Sequence, residues 1–247
     1  MSPRIDRNNL PQVDTDELLS RGAGDVLPIE AVRQIPIEEC GESLVAVSDL
    51  APRLSVRITP ERQRYADGQD LLVRETVHVL LEDALADLSK ALGLVLYDAF
   101  RPMAYQELLY DRHLHGLRVR QPGLDTNEAR RRAFEYVFDP GDSFAPPPHT
   151  TGGALDISLF SVSDGLEMDM GCRYLDDSPK RYTNTGEITD QQRANRRRLV
   201  CLLGSVGFTS YPGEWWHFML GDQEWAAYEN QPFAYYGRVD QTPIRAI

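Results

Sequence analysis

A single acidic residue interrupts the run Ala154-Leu155-Asp156-Ile157-Ser158-Leu159, and it restricts the fold more than any other feature of this 247-residue chain. The run has the length and apolarity of a buried strand. A carboxylate held inside such a strand is costly unless a cation, a donor or a metal compensates it. Upstream stands His149-Thr150-Thr151-Gly152-Gly153, whose glycines let the backbone turn tightly or approach another group closely. Taken alone, a turn histidine followed by an edge-strand aspartate accounts for this run as well as a metal site does.

Periodicity supplies the rest of the frame. Val73, Val77, Leu80, Leu81, Ala84, Leu85 and Leu88 recur at spacings of three and four, which predicts a helix over Leu71 to Leu92, with Gly93 as its C-cap. Leu94 to Phe100 is an apolar run short enough for a buried strand, ended by Arg101-Pro102 because proline donates nothing to a ladder. Helices are expected over 103–117 and 127–138, the second capped by Asp125 or Thr126. Ala145-Pro146-Pro147-Pro148 is a stiff loop, 161–186 a long connection, and 188–204 another amphipathic helix. Trp215 to Leu220 reads as a strand entered from the Pro212-Gly213 turn. Helices that come early and strands that come late predict an α+β fold, a small and mainly antiparallel sheet flanked by helices. Residues 1–35 are polar and weakly periodic, and read as an extension that is loosely packed or lies along the surface. Residues 36–247 are expected to form a single domain.

A balance of 26 Lys+Arg against 38 Asp+Glu gives a net charge of −12, which repels phosphate backbones and argues against a nucleic-acid partner. The basic run Arg193, Arg196, Arg197 and Arg198 reads as a solvated helix face. Cys40, Cys172 and Cys201 are odd in number and scattered, which argues against a disulfide scaffold and against a thiolate zinc site. No leader-like segment and no apolar stretch long enough for a membrane span is found, so a cytoplasmic location is expected. Nothing in the sequence sets an oligomeric state.

Five histidines are available for chemistry. His78 is explained by packing within its helix. His113 and His115, two apart in a helix, face different directions and do not share a metal. His217 stands in Glu214-Trp215-Trp216-His217-Phe218, where a neutral imidazole in a dry pocket makes a good zinc ligand and a carboxylate three residues earlier is placed to take a proton from water. An aromatic core strand with a satisfied histidine explains that run equally well. Arg101, at a strand end, either reaches into a site as an oxyanion donor or pairs structurally with Asp98.

Taken together, Phe100-Arg101-Pro102, His149 to Asp156 and Glu214-Trp215-Trp216-His217 resemble, in order, the motifs of the zinc D,D-peptidases (peptidase M15), and within them the D-Ala-D-Ala dipeptidases of the VanX type. Met170-Gly171 and Asn195-Arg196-Arg197 are similar to further landmarks of that family, and the resemblance covers roughly residues 35 to 222. It implies a hedgehog/D,D-peptidase-like fold, with residues 36–247 as the catalytic domain. It implies one zinc ion per chain held by His149, Asp156 and His217, Glu214 as general base and acid, and Arg101 on the scissile carbonyl. The implied substrate is D-Ala-D-Ala or a related small dipeptide, with Tyr65, Trp216 and Asp176 in its pocket. Three departures fall in that pocket. Pro147 stands where the family carries serine. Met170-Gly171-Cys172-Arg173-Tyr174-Leu175 replaces Met-Gly-x-x-Phe-Asp, so that a one-residue shift would let Asp176 receive the substrate ammonium. An Asn-Phe-Thr-Gly run after Arg64-Tyr65-Ala66 is missing. Rival readings are a D,D- or L,D-carboxypeptidase acting on peptidoglycan fragments, a non-haem iron enzyme using the same ligands, and a binding module without turnover.

Overall fold

The computed structural model describes residues 5–7, 10–65, 71–134 and 137–240. Its elements, in chain order, are α1 (Thr15–Ser20), α2 (Ile29–Arg33), β1 (Leu44–Ala46), β2 (Leu54–Val56), β3 (Leu72–Arg74), α3 (Glu75–Asp87), β4 (Leu92–Asp98), α4 (Met103–Arg120), α5 (Thr126–Phe134), β5 (Ala154–Ser161), α6 (Asp190–Ser205), β6 (Thr209–Ser210), β7 (His217–Met219) and α7 (Gln223–Tyr228). The architecture is α+β. A five-stranded sheet runs in the order β2-β4-β5-β7-β6, and β1 pairs with β3 in a separate two-stranded sheet. Among these strands the pairings are antiparallel except β2 with β4.

Period-two alternation assigns each face of the central strands. Leu155, Ile157 and Leu159 of β5 join Leu94 and Leu96 of β4 and Phe218 of β7 in the main core, all fully buried. Burial of each such side chain contributes roughly 1.5–3 kcal/mol. The opposite face carries Val95, Tyr97 and Phe160 in a smaller cluster. Asp156 shares that second face by alternation, which is why the strand tolerates it. A register irregularity between Leu96 and Asp98 then places Asp98, rather than Tyr97, opposite Asp156.

Several expectations need correction. The helix expected from Leu71 begins only at Glu75, because Leu72–Arg74 pairs with β1 as a strand. Leu71 and Val73, two apart and both fully buried, follow strand alternation, and Val73 had matched the helical period by coincidence. Gly93 is not a helix cap. It lies inside β4 opposite Phe160, whose ring would stand 2.3 Å from an added Cβ, so close approach explains the glycine. Strands are also not confined to the later chain, since β1 to β3 precede the first long helix. Of the helix expected over 127–138, Thr126–Phe134 is helical and residues 135–136 lie outside the described residues, while Asp125 caps it as expected by accepting from the backbone N–H of Asn127 and Glu128. Arg196 leaves the solvated basic face. It is 2% exposed, and its guanidinium donates to the carbonyls of Met170, Lys180 and Tyr182, while Asn195 donates to that of Asp169. Two motifs distant in sequence are thereby joined.

Residues 1–35 are not loosely packed where they are described. Ile5, Val13 and Leu18 belong to the main core, and α1 lies against α6 with Thr15 beside Gly204. Among the described residues no helix is long and apolar enough to cross a membrane. Leu18→Ala is expected to lower stability by about 2–5 kcal/mol, read as a fall in the urea midpoint, because its side chain is fully buried. A change of under about 0.5 kcal/mol, as at an ordinary surface position, would contradict this placement.

Candidate active site

Three adjacent strands build one row of polar residues. Asp98 of β4 is opposite Asp156 of β5, and Asp156 is opposite His217 of β7. Neighbouring strands lie about 4.8 Å apart, so side chains in one row on one face come within bonding reach. His149 joins from the 3₁₀ turn Pro148–Thr151, which the preceding prolines stiffen and which Gly152 ends in the left-handed region at φ 79°. A Cβ there would stand 2.4 Å from Leu44, and one at Gly153 would stand 2.3 Å from the Leu220 carbonyl. Both glycines are thus dictated by close packing.

The His149 Nδ1–H donates to the Ala99 carbonyl at 2.8 Å, which leaves Nε2 directed at Asp156 Oδ1, 3.3 Å away. His217 Nδ1 lies 3.0 Å from the same oxygen. Ligand atoms of His149, Asp156 and His217 all lie within 4.8 Å of one another, and all three side chains are buried, so the group could hold a metal ion. Backbone anchoring of one imidazole fixes its tautomer, a feature of metal-ligating histidines. Two nitrogens and one oxygen suit a borderline cation such as zinc. Burial works against the Asp156 charge, yet His149 and His217 outweigh it and hold the carboxyl well below the usual range. Burial lowers the His217 pKa in spite of Asp156, which favours the neutral imidazole that a metal requires.

Arg101, buried at the end of β4, is held on two sides. Its Nε donates to Asp98 Oδ2 at 3.0 Å and its Nη1 to Gln106 at 2.8 Å. Asp98 also accepts from Arg62 at 2.7 Å. The structural pair with Asp98 and the reach into a site therefore coexist, for Nη2 of Arg101 lies 3.9 Å from Asp156 Oδ2. Burial opposes the Arg101 charge, but Asp98 and Asp156 outweigh it and raise its pKa.

These residues open onto a cavity of about 660 Å³. Glu214, Trp216 and Asp176 line it, as do Leu175 and His113. Burial, with repulsion from Asp156, pushes the Glu214 carboxyl up to about 8 against the pull of Arg181 and Arg101. Tyr65 does not line the cavity; its ring packs on Tyr105 at 5.1 Å. His78 bonds Asp49 at 2.8 Å, away from the site.

Sequence reasoning missed Tyr174, whose hydroxyl donates to Asp156 Oδ2 at 2.9 Å and whose ring stacks on Tyr97 at 4.5 Å. Its signal was present, since Tyr174 occupies the phenylalanine position of the Met-Gly-x-x-Phe-Asp pattern and adds a hydroxyl there. The next residue, Leu175, takes φ 63°, rare for a branched side chain, and this kink carries Asp176 and Asp177 to the cavity. Gln106 and Arg62, which position Arg101 and Asp98, carried no local signal.

A family model described as D-Ala-D-Ala dipeptidase, in the peptidase M15 group, matches residues 56–237. The D-alanyl-D-alanine dipeptidase of Synechocystis sp. is 35% identical over 247 residues, covering 86% of this chain and 98% of that protein. A protein of the same description from Streptomyces coelicolor is 28% identical over 138 residues, covering 53% of this chain and 63% of its own. Among solved structures, VanYB in complex with D-Alanine-D-Alanine aligns at a TM-score of 0.41 and 17% identity, over 68% of this chain and 82% of that one.

The raised Glu214 pKa has a consequence for stability. In the metal-free protein the folded state keeps a proton on Glu214 that the unfolded chain releases above its ordinary value of 4.5. Stability is therefore lost as pH rises from about 4.5 to about 8. Glu214→Gln removes this contribution. Its melting temperature is expected to exceed that of the wild type by a margin that widens across this window, and a margin independent of pH would contradict the assignment.

Proposed function

The chain belongs to the peptidase M15 family of D-Ala-D-Ala dipeptidases, and from that premise we propose that it hydrolyses the amide bond of D-Ala-D-Ala or a closely related small dipeptide in a zinc-dependent reaction. The observation that carries this reading is the convergence of His149, Asp156 and His217, their ligand atoms within 4.8 Å, beside a cavity that Glu214 and Arg101 also line. His149 Nε2, an Asp156 oxygen and a His217 ring nitrogen would hold the zinc, and three protein ligands leave a further position open, as at catalytic sites. When bound, zinc supplies Lewis acidity toward water and toward a carbonyl oxygen.

The remaining roles fall to the chain's own residues. Glu214, with a proton affinity matched to neutral pH, takes the proton from the water that adds to the amide carbon. As the C–N bond breaks, it returns that proton to the leaving amine. Arg101, kept charged by Asp98 and Asp156, donates to the oxygen on which negative charge develops. Tyr174 and the two imidazoles keep Asp156 ionised and oriented. Trp216 and Asp176 belong to the substrate pocket, whereas the position of Tyr65 against Tyr105 supports no contact with substrate. Three free thiols, Cys40, Cys172 and Cys201, accord with a cytoplasmic setting.

Glu214 on the cavity wall counts against the iron-enzyme and binding-module readings, in which this carboxyl has no task. The cavity is larger than a dipeptide needs, and that single observation favours a second reading, removal of a terminal residue from a longer peptidoglycan fragment. Kinetics on D-Ala-D-Ala beside a muropeptide separate the two. Chelation is expected to abolish release of free alanine and zinc to restore it. Glu214→Ala is expected to retain one zinc per chain by metal analysis yet lose on the order of 10²–10⁴-fold in kcat. Full activity after chelation would remove the metal from the reaction.

A further inference from the structure

One buried carboxyl at the cavity is not used by the chemistry above. Glu224, in the first turn of α7, is 3% exposed and lines the same cavity as Arg101, His149, Glu214 and His217. No hydrogen bond or ion pair from the described residues reaches its side chain; burial and repulsion from Asp222 and Glu214 are what act on it, and they raise its pKa well above the usual value. The other buried acids differ: Asp98 and Asp156 are compensated, and Asp222, whose Oδ2 has no partner, does not line the cavity. Asp98 has Arg62 and Arg101, Asp156 has Tyr174 and two imidazoles, and Asp222 Oδ1 accepts the Trp225 N–H. A desolvated carboxyl without a donor is unfavourable, and its position on a cavity wall leaves a cationic ligand as the missing partner.

The hydrolysis of a free dipeptide presents such a cation. Its ammonium nitrogen is separated from the scissile carbonyl carbon by one tetrahedral carbon, so it lies in the small volume on which Glu214 acts. Glu214 and Glu224 both line this cavity, with Arg101, His149 and His217. The alternative acceptors are less suited. Asp176 already accepts the Ser178 N–H at 2.8 Å, and Asp177 is exposed. We propose that Glu224 receives the free ammonium group of the substrate and thereby selects dipeptides with an unmodified amino terminus. This inference rests on the hydrolase reading and sharpens it, because a longer peptide carries no ammonium beside its last amide bond.

The test compares kcat/KM of the zinc-loaded, full-length protein for D-Ala-D-Ala and for propionyl-D-alanine, the same skeleton without the amine. The wild type is expected to favour the dipeptide by about 10- to 100-fold, the range for a charge-assisted hydrogen bond. In Glu224→Gln that preference is expected to fall at least tenfold, chiefly through KM. Glu224→Met, apolar and of similar length, is expected to do the same and serves if the glutamine variant does not fold. A purely structural role would lower both substrates together and leave the ratio unchanged. A wild-type ratio in both variants, a ratio that collapses only in Asp176→Asn, or a wild type that cleaves both compounds equally would overturn the proposal while leaving the hydrolase reading intact. A zinc-loaded wild type that cleaves neither compound would overturn the dipeptidase reading and this proposal with it.

Discussion

Asp156 carries a charge at the centre of the five-stranded sheet with 2% of its surface exposed, and the surroundings of the site are organised by its compensation. Buried charge is tolerated only where partners are close and well directed. Here they arrive from four directions: His217 along the β5–β7 register, His149 from the proline-stiffened turn, Tyr174 from the long connection, and Arg101 at a greater distance from the end of β4. Removal of any one would leave a carboxylate partly uncompensated in the interior. The same arrangement that makes Asp156 affordable also assembles two imidazoles and a carboxylate into a ligand set.

A second layer holds the first in place. Asp98 binds Arg62 and Arg101 together, and Gln106 takes another nitrogen of Arg101 while donating through its own amide to the Phe138 carbonyl. The guanidinium is thereby oriented before any ligand arrives, which is the condition for strong stabilisation of developing charge. On the far side the Asn195-Arg196 pair clamps the backbone around Met170, Lys180 and Tyr182, and so anchors the segment that delivers Tyr174 and Asp176. Electrostatics within the cavity are graded accordingly. The two imidazoles hold Asp156 ionised, burial raises Glu214 to about 8, and burial raises Glu224 as well.

Local pattern was informative where one element alone decides the outcome. The β4 and β5 runs, the α6 helix and the Asp125 cap were legible because their apolar periods and capping residues act within a few positions. Val73 and Gly93 misled for a physical reason: a valine satisfies a helical and a strand period at once, and a glycine is required equally by a helix end and by an aromatic ring pressed against the backbone. Arg196 looked like part of a charged face because a basic run says nothing about which member turns inward. The β2–β4 parallel pairing left no trace in composition.

Sequence by itself determined the chemical inventory, namely two histidines in distinctive runs, an aspartate in an apolar strand, a glutamate three residues before the second histidine, and an arginine at a strand end. It determined these because residue type and spacing along one element are properties of the chain alone. Only the tertiary structure decided that these groups meet, that Tyr174 completes the shell of Asp156, that Tyr65 does not line the cavity, and that Glu224 faces it without a partner. Register across β4, β5 and β7, the irregularity before Asp98 and the kink at Leu175 are set by packing between distant segments, and no window of sequence contains both sides of such a contact.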